Sequence, residues 1–163
     1  MPFYFAYGSN MNVVAMAARC PRSKPLGAAR LMRHQFVIMD AGYASVVRSS
    51  GGCVHGLLWD LALSDVAALD RYEGALYSKI IQPVIRAGGG AVQAMIYVGQ
   101  GRAGGRARPE YAEDVLQAAE AAHLPHGYIS GLYACFDVPK PKNIIENNRP
   151  KVTPRFATPF DRR

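Results

Sequence analysis

The sequence predicts an α+β domain, a small mixed, barrel-like β-sheet with short helices packed around it. Three observations carry that expectation. The chain has 163 residues, 50% of them hydrophobic, which suits one domain with a real core. Short β-rich runs alternate with short helical patterns. One pair of runs is joined by a glycine turn, so part of the sheet is antiparallel.

The elements follow in order. Pro2–Tyr7 is aromatic and apolar and stops at Gly8-Ser9-Asn10, as a buried strand ending in a tight turn does. Asn10 or Asn12 caps a short helix with Met11, Val14, Ala15 and Ala18 on its inward face, ending before Pro21. Strands are expected at Ala28–Met39 and Ser45–Val47, and Cys53–Leu61, with the sole tryptophan Trp59, reads as a central strand. Ser64 is the natural N-cap of the next helix, Asp65 suits its positive end, and Gly74 supplies its stop. Tyr77–Ile85 and Ala91–Val98 read as a hairpin turning at Ala87-Gly88-Gly89-Gly90, with Pro83 marking an edge or a bulge. Gly99–Arg108 is a flexible loop by composition. Pro109 opens a helix running to about His123, with Val115, Leu116 and Ala119 inward, and the proline-rich last stretch reads as extended.

The net charge of +7 would admit nucleic acid, a membrane surface or small acidic ligands. From Pro139 onward, however, there are seven Lys/Arg against two acids, and the remainder is nearly balanced. The chain therefore divides into a domain over residues 1–135 and a basic, Pro-rich C-terminal extension over 136–163. Cys20, Cys53 and Cys135 form no C-x-x-C pair, which suits a reducing cytoplasm. The N-terminus carries no secretory pattern, and no apolar stretch approaches the roughly 20 residues of a membrane helix. His123 and His126 are separated by Pro125 and lack a third ligand, so they read as a helix-end pair rather than a metal site. The single GRAGGRAR stretch is too little for an RNA-contacting segment, and Gly88–Gly90 leads into no helix that could cradle a nucleotide. No metal, cofactor, nucleic acid or membrane is expected as a partner, and the oligomeric state stays open.

Two places could carry chemistry. At Tyr7-Gly8-Ser9-Asn10 a strand ends in glycine and opens a helix, presenting unpaired amides that bind a carboxylate or stabilise an oxyanion. An ordinary strand-to-helix turn has the same pattern. Val66, Leu69 and Glu73 stand at i, i+3 and i+7, so a core-facing helix aims the Glu73 carboxylate inward. Burial and the helix C-terminus both disfavour the anion, and a raised pKa is what a general base near neutral pH requires. An exposed glutamate at a frayed helix end fits the pattern equally.

YFAYGSNM at Tyr4–Met11 and LDRYEG at Leu69–Gly74 resemble the γ-glutamylcyclotransferase superfamily. ASVVRSSGGCVHGLLWDL at Ala44–Leu61 is similar to the family's segment leading into the catalytic helix. Tyr77, past Gly74, and LPHGY at Leu124–Tyr128 fit as well, so the resemblance covers roughly residues 3–130. It implies a barrel-like fold with a cavity, no metal or cofactor, and a γ-glutamyl substrate cyclised to 5-oxoproline. It also implies Glu73 as general acid/base, a glutamyl-binding loop at Tyr4, Phe5, Ala6, Tyr7, Gly8, Ser9 and Asn10, and pocket tyrosines at Tyr77 and Tyr128. Lys79 stands where members frequently carry arginine, so a carboxylate clamp there would be a point charge. Two other functions remain in view: removal of a γ-glutamyl protecting group from a larger amine, and a non-catalytic small-molecule or nucleic-acid binding module. A basic rim would disfavour cationic leaving groups, and an acidic rim would welcome them.

Overall fold

The structure, a computed structural model, describes residues 2–141. Five strands close into a barrel in the order β1-β3-β2-β4-β5, with four short helices packed outside it. Strand β1 (Phe3–Ala6) lies between β3 (Ala44–Asp60), antiparallel, and β5 (Ala91–Gly99), parallel through Phe3↔Ala94 and Tyr4↔Met95. That parallel pair closes the barrel. The two longest strands, β2 (Lys24–Ile38) and β3, form one hairpin, and β4 (Tyr77–Arg86) with β5 forms the other. The hairpins join where Ala29 and Arg30 meet Arg86 and Ile85. Pro83 therefore lies where β4 pairs with β5 alone, as a residue without an amide proton requires.

Helix α1 (Val13–Arg19) follows a short 3-10 turn at Ser9–Met11, and Asn12 is its cap, accepting from the Val14 and Ala15 amides at 3.0 and 3.1 Å. The expected inward face is corrected: Met11 and Met16 are buried, whereas Val14 is exposed. The 3-10 turn shifts the helical phase, so the period counted from Met11 misplaces the face. Helix α2 (Leu63–Glu73) begins before Ser64, with Ala62 at the cap position and no side-chain cap. Asp65 is buried and accepts instead from the Arg22 amide at 2.9 Å and the Ser23 hydroxyl at 2.8 Å, tying the α1–β2 loop to α2. Leu69 is fully buried and Val66 partly so, which seats α2 on the barrel with about 1.5–3 kcal/mol from such a leucine.

The break expected between Ser45–Val47 and Cys53–Leu61 is absent, because β3 runs through it. The pairing jumps from His34↔Arg48 to Met32↔Cys53, so Ser49–Gly52 bends the strand rather than ending it. Gly99–Arg108 is also held more firmly than its composition predicts: the Asp40 amide donates to the Arg102 carbonyl, and the Gly104 and Gly105 amides donate to the Ile38 carbonyl. Helix α3 (Pro109–Ala121) has proline in its first turn and buries Val115, Leu116 and Ala119. The sequence reading leaves α4 (His126–Cys135) out; its Ile129, Leu132 and Tyr133 are buried. Phe136, at the start of the expected extension, is buried too, and most of that extension lies outside the described residues.

Gly56 lies where β3 passes close to the end of β1. A Cβ there would stand 2.2 Å from the Ala6 carbonyl oxygen and 2.9 Å from the Phe5 ring. Gly56→Ala should therefore destabilise the protein by about 2 kcal/mol or more. Gly51→Ala, where nothing lies within 4 Å, should change stability by less than about 0.5 kcal/mol in the same urea titration.

Candidate active site

The end of β1, the turn after it and the end of α2 converge on one narrow cleft with about 30 Å³ of free space. Tyr4, Tyr7, Gly8, Ser9 and Asn10 form one side, and Glu73, Tyr77, Ala44, Tyr97 and Tyr111 the other. Gly8 admits Tyr111, whose hydroxyl would stand 3.2 Å from a Cβ at that position. The Ser9 and Asn10 amides open the 3-10 turn without a backbone acceptor among the described residues.

Glu73 is the last residue of α2, and Gly74, at φ 63°, turns the chain away immediately after it. Its Oε1 accepts from Asn10 Nδ2 at 2.7 Å, and the same amide nitrogen donates to the Tyr4 hydroxyl at 3.0 Å. Arg19 donates in turn to Asn10 Oδ1, so Asn10 couples a guanidinium to the carboxylate without direct contact. Burial pushes the Glu73 carboxyl up to about 7, against the weaker opposing pull of Arg19, Asn10 and Tyr4. One turn earlier on the same helix, Asp70 is held below its ordinary value, first by the Tyr97 hydroxyl at 2.5 Å and then by Lys79, which reaches both oxygens at 2.9 Å. Environment alone separates the two carboxyls.

The tyrosines are neutral donors and acceptors. Burial pushes Tyr4, Tyr7, Tyr77 and Tyr111 well above the ordinary phenol value. Tyr7 donates to the Tyr97 carbonyl, Tyr77 donates to the Ala44 carbonyl at 2.8 Å, and the Ala44 amide donates to the Tyr111 hydroxyl at 3.1 Å. The rings are thereby fixed around the carboxylate.

The family model of gamma-glutamyl cyclotransferase, AIG2-like proteins matches residues 4–117, from the first strand through α3. The chain belongs to that family. A solved structure named gamma-glutamyl cyclotransferase superposes with a TM-score of 0.76 at 25% identity, covering 82% of this chain and 86% of its own. The human uncharacterized protein loc79017 gives 0.75 at 26%, covering 81% and 86%. YkqA from Bacillus subtilis shares the fold at 0.72 and 23%, this chain covering 86% of itself and 56% of YkqA. No curated protein matches the sequence significantly.

Within this cyclotransferase fold, most of the residues singled out from the sequence meet in the cleft: Tyr4, Tyr7, Gly8, Ser9, Asn10, Glu73 and Tyr77. Phe5, Ala6 and Tyr128 do not. Phe5 points into the core toward Gly56, and Ala6 pairs with Leu57 in the sheet. Tyr128 is carried by α4 to the His55 ring, 4.9 Å between centroids, away from the cleft. Tyr111 fills the cleft instead. Ala44, Tyr97 and Tyr111 escape the sequence reading; the one available signal was an aromatic in the first turn of the Pro109 helix. Lys79 grips Asp70 and does not line the cleft.

Folded Glu73 keeps its proton up to about pH 7, whereas the ordinary value is 4.5. Its contribution to stability is full below the lower value and is lost as pH rises to the higher one. Glu73→Gln, which cannot ionise, should therefore gain stability over the wild type between pH 5 and 8, by on the order of 3 kcal/mol, in paired urea titrations. A difference that does not change with pH would contradict a buried, proton-retaining carboxyl.

Proposed function

We propose that this protein cyclises γ-glutamyl amides, releasing 5-oxoproline and a free amine, with Glu73 as general base and then general acid. The observation that carries the reading is Glu73 itself, the one Asp or Glu among the described residues that lines the cleft, its carboxyl pushed up to about 7 by burial.

The chemistry follows from the substrate's own geometry. Glu73 takes a proton from the substrate's α-ammonium group, and the freed nitrogen attacks the γ-carbonyl carbon. The new C–N bond closes a five-membered ring, and negative charge develops on the carbonyl oxygen. The uncommitted Ser9 and Asn10 amides are suited to receive it. Glu73 returns its proton to the departing nitrogen and the old C–N bond breaks; the ring nitrogen gives up its second proton, and the amine departs as its ammonium. The nucleophile is tethered to its target, so holding the glutamyl chain folded supplies much of the rate. The scheme calls on no enzyme nucleophile and no cofactor. Asn10 positions Glu73, and Tyr4, Tyr7 and Tyr77 shape the chamber for the glutamyl moiety. The three cysteines are free, in keeping with a reducing, cytoplasmic setting.

Assaying 5-oxoproline release from a panel of γ-glutamyl amides tests the reading. Wild-type protein should release it, with kcat/KM rising through an apparent pKa near 7 as Glu73 deprotonates. Glu73→Gln should lose about a hundredfold or more. Release that survives the substitution would move the base elsewhere, and no release from any panel member would contradict the reaction class.

A further inference from the structure

The cleft around Glu73 continues outward. A second, larger cleft of about 240 Å³ shares Ser9, Glu73, Tyr77 and Tyr111 with the inner chamber and adds Tyr43, Tyr72 and Leu76. These three added side chains are large, apolar-bodied and 40%, 48% and 49% exposed. A single exposed aromatic means little, but three gathered at the mouth of one cleft form a surface that favours an apolar occupant. Tyr43 packs edge-on against Tyr111, with centroids 5.3 Å apart. Tyr72 lies under the Arg19 guanidinium, 3.3 Å from the ring centroid, and its hydroxyl meets Ser9 Oγ at 3.2 Å.

Charge narrows the occupant further. Among the described residues, no Lys or Arg lines either cleft, and Glu73 is the sole acid that does. Arg19 is committed to Asn10 and Tyr72, and Lys79 to Asp70. A leaving group bearing a carboxylate would meet no free cation among the described residues and would stand beside an ionisable acid. One bearing an ammonium would pair with Glu73 and compete with the α-amine for the base, while facing the Arg19 charge across Tyr72.

We propose that the outer cleft is the leaving-group subsite and that it selects γ-glutamyl amides whose amine portion carries an aromatic ring and no charged group, the ring seated among Tyr43, Tyr72 and Leu76. The inference rests on the cyclotransferase reading above. Ring closure is unchanged: the α-nitrogen bonds to the γ-carbon, the amide bond to the ring-bearing amine breaks, and that amine leaves with the returned proton.

The test compares γ-glutamyl benzylamide, γ-glutamyl ethylamide and γ-glutamyl-alanine. The benzylamide should exceed the other two in kcat/KM by about tenfold or more, chiefly through KM. Tyr43→Ala should bring the benzylamide-to-ethylamide ratio to within about twofold of one, and Tyr43→Phe should keep it. Equal use of the two amides, preference for the carboxylate-bearing conjugate, or a ratio that Tyr43→Ala leaves intact would overturn the proposal. Calorimetric binding to Glu73→Gln reads the subsite apart from turnover. If no conjugate cyclises but the benzylamide binds about tenfold tighter than the ethylamide, dependent on Tyr43, the cyclotransferase reading fails and the subsite stands. Equal binding of the two sinks the subsite whatever the turnover.

Discussion

The hydrogen bond from Asn10 Nδ2 to Glu73 Oε1 joins the turn after β1 to the last residue of α2, and the candidate site is organised around it. A carboxylate drawn into a cleft walled by tyrosines must either ionise at a cost or hold its proton. Asn10 gives it one good donor, and Arg19 pulls on it through space without touching it, so the stabilisation is partial. The balance leaves the group near neutrality, where it can both accept and return a proton. A direct Arg19–Glu73 pair would have held the carboxyl low, and no donor at all would have left it higher still.

That contact depends on the barrel. Strand β1 has only Phe3–Ala6, yet it bonds to strands on both sides, so the turn that follows is launched from a fixed point. Gly56 lets β3 approach closely enough for this. Asn12 caps α1 and leaves the Asn10 side chain free to turn toward Glu73. On the opposite wall, Tyr77 and Tyr111 both bond to Ala44 at the start of β3, so the cleft's far side is set by the β2–β3 hairpin. Two neighbouring clefts result: among the described residues, hydroxyls and the Glu73 carboxyl line the inner one, and aromatic rings gather at the mouth.

Much of this was legible in the sequence, for physical reasons. The spacing of Val66, Leu69 and Glu73 aimed the carboxyl inward because burial of Leu69 fixes the helix face. The glycine after Tyr7 marked the turn, and the Ala91–Val98 run with its partner gave the second hairpin. What stayed hidden depends on distant packing. Tyr111 reaches the cleft only because α3 crosses it, and nothing local distinguishes that tyrosine from Tyr128, which goes to His55 instead. The Ser49–Gly52 stretch looked like a break because glycine and serine end strands more often than they bend them. Helix α4 carries two glycines and a nearly uniform apolar sequence, so it offers no polar face by which to read a period.

The central claim is that one buried carboxyl in this fold titrates near neutrality. The most direct measurement is a carbon-13 NMR titration of side-chain carboxyls in protein labelled at glutamate Cδ, run on the wild type and on Glu73→Gln. One resonance should titrate at about 7 and be missing from the variant. If every glutamate resonance titrates near the ordinary value of 4.5, Glu73 is an ordinary surface carboxylate and the account built on its burial is wrong.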